Sequence, residues 1–138
     1  MTGEFTIAVH ALVFLQHKKE TFSSDALAEN VCTNPARIRK VMARLKSAGL
    51  VETKEGAVGG YHFTGDPERI TLKMVLDALD QSVVSQSWKS GDPHKDCLIA
   101  SGMAGVMDEV YGELDAACKE KLAQITIADI DRKIFACI

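Results

Sequence analysis

The chain lacks the features that would announce a function directly. It has no uninterrupted run of about 18 apolar residues, so no stretch reads as a membrane span. It has only four cysteines, at positions 32, 97, 118 and 137, and no C-x-x-C pair. That spacing argues against a zinc site and is too sparse for a disulfide framework, which leaves reduced thiols as the default. There is no P-loop, no H-E-x-x-H helix, no nucleophile elbow and no persuasive Cys–His pair, so no enzyme is expected. Nor does the N-terminus read as a secretory leader. Glu4 precedes its apolar part and Lys18-Lys19 follows it, the reverse of a signal peptide, and the expected location is the cytoplasm.

What remains is an ordinary composition. With 138 residues, 46% of them hydrophobic and 25% charged, the chain suits one domain, or a small domain with an added oligomerisation element. The formal net charge of −3 does not by itself suggest a polyanion as partner, but the distribution does. Between positions 34 and 54 lie Arg37, Arg39, Lys40, Arg44, Lys46 and Lys54 against the single carboxylate Glu52, a local excess of five, which leaves the rest of the chain at −8. No Asp or Glu stands within 34–51 to pair with these cations along the helix, so the positive face is expected to have no internal partner. A basic face on an acidic body is the footprint of a directional nucleic-acid binder.

Periodicity places that face. Phe5 to Lys18 reads as a helix apolar nearly all round, to be clamped between its own domain and something else. A short helix follows at about 25–30, with Ser23 or Ser24 as cap. Asn34-Pro35 is a cap residue followed by proline at the first helical position, and the helix it opens runs to Ala48 and stops at Gly49. Ile38, Val41, Met42 and Leu45 face inward, while Arg37, Lys40 and Arg44 follow one another on another face, flanked by Arg39. Two helices joined by about three residues, the second basic outside, make a helix-turn-helix. GAVGG then turns Leu50-Val51 back into Tyr61-His62-Phe63 as a β-hairpin wing, and Gly59 and Gly60 carry no side chains to block a phosphate.

Thr71 caps a helix to about Leu79, and residues 81–96 read as a polar loop. From about 98 to 123, Ile99, Met103, Val106, Val110, Leu114 and Ala117 recur every three or four residues. At 1.5 Å per residue that helix is roughly 35–40 Å long, and a second copy of the chain is the simplest cover for its apolar stripe. A last helix spans 127–135. The expected architecture is mostly α with a small β-hairpin: a winged helix-turn-helix head over 1–80, a loop over 81–96, and a helical dimerisation region over 97–138.

The segments AVHALVFL, DALAENVCTNPARIRKVMARLKSAGLVETKEGAVGGY and DPERITLKMVLDAL resemble the Rrf-two family of bacterial winged-helix transcription regulators. The resemblance rests on RLKSAGLV, the G-x-x-G-G-Y wing that ends in Tyr61, and the I-T-L-x-x-V helix start. Together with the basic face and the uncovered stripe it points to a homodimeric regulator, expected to be a repressor, bound to an inverted-repeat operator in double-stranded DNA and tuned by a thiol or small-molecule signal. Cluster-binding members carry three cysteines before and into the long helix. This chain has only Cys97 there, in PHKDCLIA, which resembles the cluster-less, YwnA-like branch, and no iron–sulfur cluster or other cofactor is expected. Many members have arginine just before the first wing glycine, where this chain has Glu55.

Arg37 and Lys40 are expected to reach base edges, and Asn34 to hold a phosphate with the free N–H groups of its helix. Arg39, Arg44, Lys46 and Lys54 are expected on phosphates. Cys97, with Asp96 before it as cap, and Cys32, in the turn of the helix-turn-helix where small thiols are commonly buried, are each either inert or sensors of a redox or small-molecule effector. Trp88 is either a lid or a dimer contact. His10 and His17 read as core or surface histidines rather than metal ligands. The alternative function is a protein–protein adaptor that uses the winged helix without DNA.

Overall fold

The computed structural model describes residues 2–136. Its elements are α1 (Gly3–Lys18), α2 (Ser24–Val31), α3 (Pro35–Ser47), β1 (Val51–Lys54), β2 (Gly60–Phe63), α4 (Leu72–Ala78), α5 (Leu98–Leu122) and α6 (Ile127–Phe135). Every helix of the head starts on a side-chain cap. Thr2, Ser23, Asn34 and Thr71 each accept a backbone N–H from the first turn of the helix that follows, satisfying donors that have no partner within the helix. Thr126 and Asp129 form a reciprocal capping box at α6.

Along α1, Phe5, Ile7, Ala8, Ala11, Leu12, Val13, Leu15 and Gln16 are all buried. The surroundings that such a helix requires come from this chain itself: α2, α3 and α4 of the head lie against it, with β2 beside them and α6 on a further side. β1 and β2 pair antiparallel from Val51–Phe63 to Lys54–Gly60. Phe22, in the link between α1 and α2, exchanges backbone hydrogen bonds of 3.0 and 2.8 Å with Tyr61 and so ties the hairpin to the head.

The helix at 127–135, grouped by sequence with the dimerisation region, returns to the head. Ile127 N–H donates to Ile70 O at 2.9 Å, Leu72 N–H to Ile125 O at 2.8 Å, and Ala128 N–H to Pro67 O at 3.0 Å. Ile127 has no exposed surface and belongs to the single apolar core.

Segment 81–96 has no helix or strand, as its composition implied, but it is folded back on α5. The N–H groups of Val83 and Val84 both donate to Asp115 Oδ1, at 2.7 and 2.9 Å, and Lys89 Nζ pairs with Asp108 at 2.9 Å. The Val84 N–H first, with the Lys119 side chain and the Val83 N–H, holds Asp115 below the usual carboxylate range.

Helix α5 has no buried side chain. Leu98, Ile99, Met103, Val106, Val110 and Leu114 are all exposed. Successive residues turn by about 100°, which brings Ile99, Met103, Val106, Val110 and Leu114 onto one stripe. None of the helices among the described residues is long and apolar enough to cross a membrane.

The role of α6 in the core can be checked by truncating its anchor. Ile127→Ala should lower the unfolding free energy by about 2–5 kcal/mol, read from denaturant melts.

Candidate nucleic-acid interface

Helix α3 turns Ile38, Val41, Met42 and Leu45 into the core, and none of the four has exposed surface. With about 100° per residue, the direction opposite that buried face is occupied by Ala36, Lys40, Ala43 and Ser47. All four are exposed. On one side of this strip stand Arg37 and Arg44, and on the other Arg39 and Lys46. The outward surface is therefore a floor of small side chains with Lys40 in its middle and a cationic rail along each edge. That shape suits a helix seated in the major groove, whose walls are lined by phosphates.

The rails are held by neutral partners. Arg39 Nη1 donates to Ser24 Oγ at 3.4 Å, Arg44 Nη1 to the backbone oxygen of Leu79 at 2.8 Å, and Lys46 Nζ to Thr53 Oγ1 at 3.0 Å. Among the described residues Arg37, Arg39 and Arg44 form no ion pair, so their charge is not cancelled. The expectation that the whole face has no internal partner is corrected at Lys40. Its Nζ lies 3.0 Å from Glu4 Oε1, a carboxylate delivered by α1 rather than by the helix itself. Arg44 needs a qualification too, because its bond to Leu79 O sits in a partly buried place and joins α3 to the end of α4.

Asn34 occupies the cap position of α3, where its Oδ1 accepts the Arg37 N–H at 2.8 Å. The side chain is thus engaged, and what the helix start offers an anion is its remaining N–H groups. In the wing, Lys54 ends β1 and is exposed. Both glycines have internal reasons. A Cβ on Gly59 would collide with the Lys54 carbonyl across the turn, and one on Gly60, at a φ of 148°, would collide with the backbone of Phe22. Tyr61 is half-buried against the core, paired with Phe22.

The two candidate sensor thiols differ from expectation in detail. Cys97, not Asp96, holds the cap position of α5. The N–H groups of Ala100 first, then Ile99, hold its thiol below the usual range, as a helix start does. Cys32 is not in the core. It caps α2 in the left-handed conformation, φ 64°, and is exposed, because a residue that ends one helix inside a tight turn points its side chain away from the packed face. Cys137 lies outside the described residues. His10 lies 2.7 Å from Asn30 Oδ1 and His17 bonds Asp131, so each histidine has a polar partner between elements.

A family model described as Rrf2, an iron-dependent transcriptional regulator, matches residues 1–133. The chain belongs to the Rrf2 family. YwnA of Bacillus subtilis (strain 168), which carries the name of an HTH-type transcriptional regulator, is 24% identical over 135 residues, 98% of this chain and 99% of that protein. Among solved structures, one of a protein assigned as a transcriptional regulator from Lactobacillus plantarum superposes with a TM-score of 0.85 at 23% identity, covering 97% of this chain and 91% of the other. CymR, the global cysteine regulator of B. subtilis, superposes at 0.70 with 19% identity, covering 96% of each chain. The relatives are transcription regulators and not enzymes, and the shared fold is the winged helix with a long C-terminal helix.

Iron, named in the description of the Rrf2 family, does not fit the described residues of one chain. Cys97 and Cys118 are separated by roughly 30 Å of helix, and Cys32 belongs to a different element. No group of three or more His, Cys, Asp or Glu side chains able to hold a metal comes together among the described residues.

Sequence reasoning found the cations and missed what holds them: Glu4, Ser24, Thr53 and the Leu79 carbonyl. Nothing in a linear pattern marks those contacts. Removing the cap that starts the helix tests how this interface is positioned. Asn34→Ala should cost about 1 kcal/mol of stability, measured by thermal or denaturant unfolding.

Proposed function

We propose that this Rrf2-family chain is a homodimeric repressor that grips an inverted-repeat operator with one α3 per half-site. The observation that carries the reading is the outward face of α3, a small-residue floor with Lys40 at its centre, paired to Glu4, between two rails of arginine and lysine that no carboxylate among the described residues neutralises. Lys40 and Arg37 are assigned to base edges, since Lys40 is central and Arg37 lies in the first turn of the helix. Arg39, Arg44, Lys46 and Lys54 are assigned to phosphates, with the N–H groups after Asn34. Gly59, Gly60 and Tyr61 set the height of the wing rather than offering charge.

The second copy is supported by α5. Six large apolar side chains stand exposed along it, a patch that a lone soluble chain would ordinarily cover. Pairing two such helices buries the stripe and fixes the spacing of the two heads. Cys97 is the better placed of the two candidate sensors. Its exposed thiol has lowered proton affinity and stands at the start of the helix that joins the heads.

Two measurements test this function. Fluorescence anisotropy with a duplex selected from a randomised pool should give a log K against log salt slope of about −7, for four phosphates per protomer in a dimer. A flat salt dependence would sink the proposal. Val110→Glu, which places a charge in the apolar stripe, should shift the protein to monomer in native mass spectrometry and lower affinity for the same duplex by at least about tenfold. A dimer that survives the change would show that α5 is not the interface.

A further inference from the structure

The one cation at the centre of the outward face of α3 is already engaged. The Lys40–Glu4 pair is asymmetric, for the lysine side chain is 63% exposed and the glutamate 18%. Glu4 is also held from behind. Gln81 Nε2 donates to its Oε2 at 3.4 Å, and Thr2 Oγ1 donates to Gln81 Oε1 at 3.1 Å. The carboxylate is therefore the fixed member and the ammonium the movable one. The same end of α1 also meets the neighbouring cation, since a Cβ on Gly3 would stand 2.7 Å from Arg37 Nη2.

A fixed carboxylate beside a surface that meets DNA opposes binding, and stability alone is a weak reason to keep it. An exposed pair contributes at most about 1 kcal/mol, and Glu4 would favour the start of α1 without Lys40. Its effect on binding depends on what Lys40 is offered. On random DNA the lysine gains a single phosphate through counterion release, and leaving Glu4 cancels much of that gain because the freed carboxylate must take up a cation. At a matching site, guanine presents two acceptors, O6 and N7, to one ammonium, which repays the lost pair.

Resting on the DNA-binding reading above, we propose that Glu4 is a specificity-determining residue: it withholds Lys40 from loose phosphate contact and yields it to a base edge. Discrimination then comes from a built-in cost on the wrong partner as well as attraction to the right one.

The test compares wild type, Glu4→Gln, Lys40→Met and the double variant on two duplexes across a salt series. One duplex is a random 30-mer, the other is selected from a randomised pool by the wild-type protein. Glu4→Gln keeps the side-chain shape, and thermal melts confirm that each variant folds. Glu120→Gln, an equal charge change at an exposed site on α5, serves as control. On the random duplex Glu4→Gln should bind roughly five- to tenfold tighter at low salt, with a slope steeper by about 2 per dimer. On the selected duplex the gain should stay under about twofold. With Lys40→Met already present, adding Glu4→Gln should raise binding to both duplexes alike, by under about twofold.

An equal gain on both duplexes overturns the proposal, as does the same gain with Lys40→Met present or with Glu120→Gln. So does a Glu4→Gln variant that binds no tighter than a wild type that itself binds DNA. A wild type with no salt-sensitive binding to either duplex removes the DNA-binding reading, and this inference with it.

Discussion

Leu12 and Leu15 sit without exposed surface in the middle of α1, and the helix carries eight buried side chains in sixteen residues. A helix buried on so many sides cannot be satisfied by one neighbour, so it draws α3, α4 and β2 onto it from the head and α6 from the far end of the chain. That demand for burial sets the positions of both α1 ends. At its start, Glu4 and Gly3 are brought beside Lys40 and Arg37. At its end, Gln16 Nε2 donates to Asp131 Oδ2 at 2.7 Å, and the His17 ring stacks on Phe135 with centroids 4.1 Å apart.

The electrostatic design of α3 follows from the same packing. The cations along its two edges escape neutralisation because the atoms they reach on neighbouring elements are neutral. Ser24, Thr53 and the Leu79 carbonyl each take one hydrogen bond and leave the charge in place. Neutral acceptors therefore hold arginine and lysine in defined directions without lowering the potential that draws a polyanion. Arg44 also joins α3 to the last residue before the turn into segment 81–96, and Asp115 fixes the start of that segment to α5. A continuous chain of contacts thus runs from α5 to α3.

Much of the head was legible because its determinants are local. Ser23, Asn34-Pro35 and Thr71 start helices through bonds spanning three residues, and α6 lies at Ile127–Phe135 where periodicity put it. The hairpin followed from GAVGG between extended runs. The interface was legible as a list of cations but not as a geometry. Counting Arg37, Lys40 and Arg44 as one face hid the fact that Lys40 alone lies centrally while the other two form an edge. Cys32 was misjudged because small thiols favour cores in general, whereas this one ends a helix in a left-handed turn.

By itself the sequence determined the order of the elements, the basic face of α3 and the apolar stripe of α5, since each depends on residues within a few turns of one another. Tertiary structure decided what those cations touch. Glu4 reaches Lys40 across 36 positions, Arg44 reaches Leu79 across 35, and α6 enters the core rather than staying with the helix before it. The physical reason is that burial of α1 chooses these neighbours, and nothing in the spacing of charges along the chain records which ends of which helices that burial will bring together.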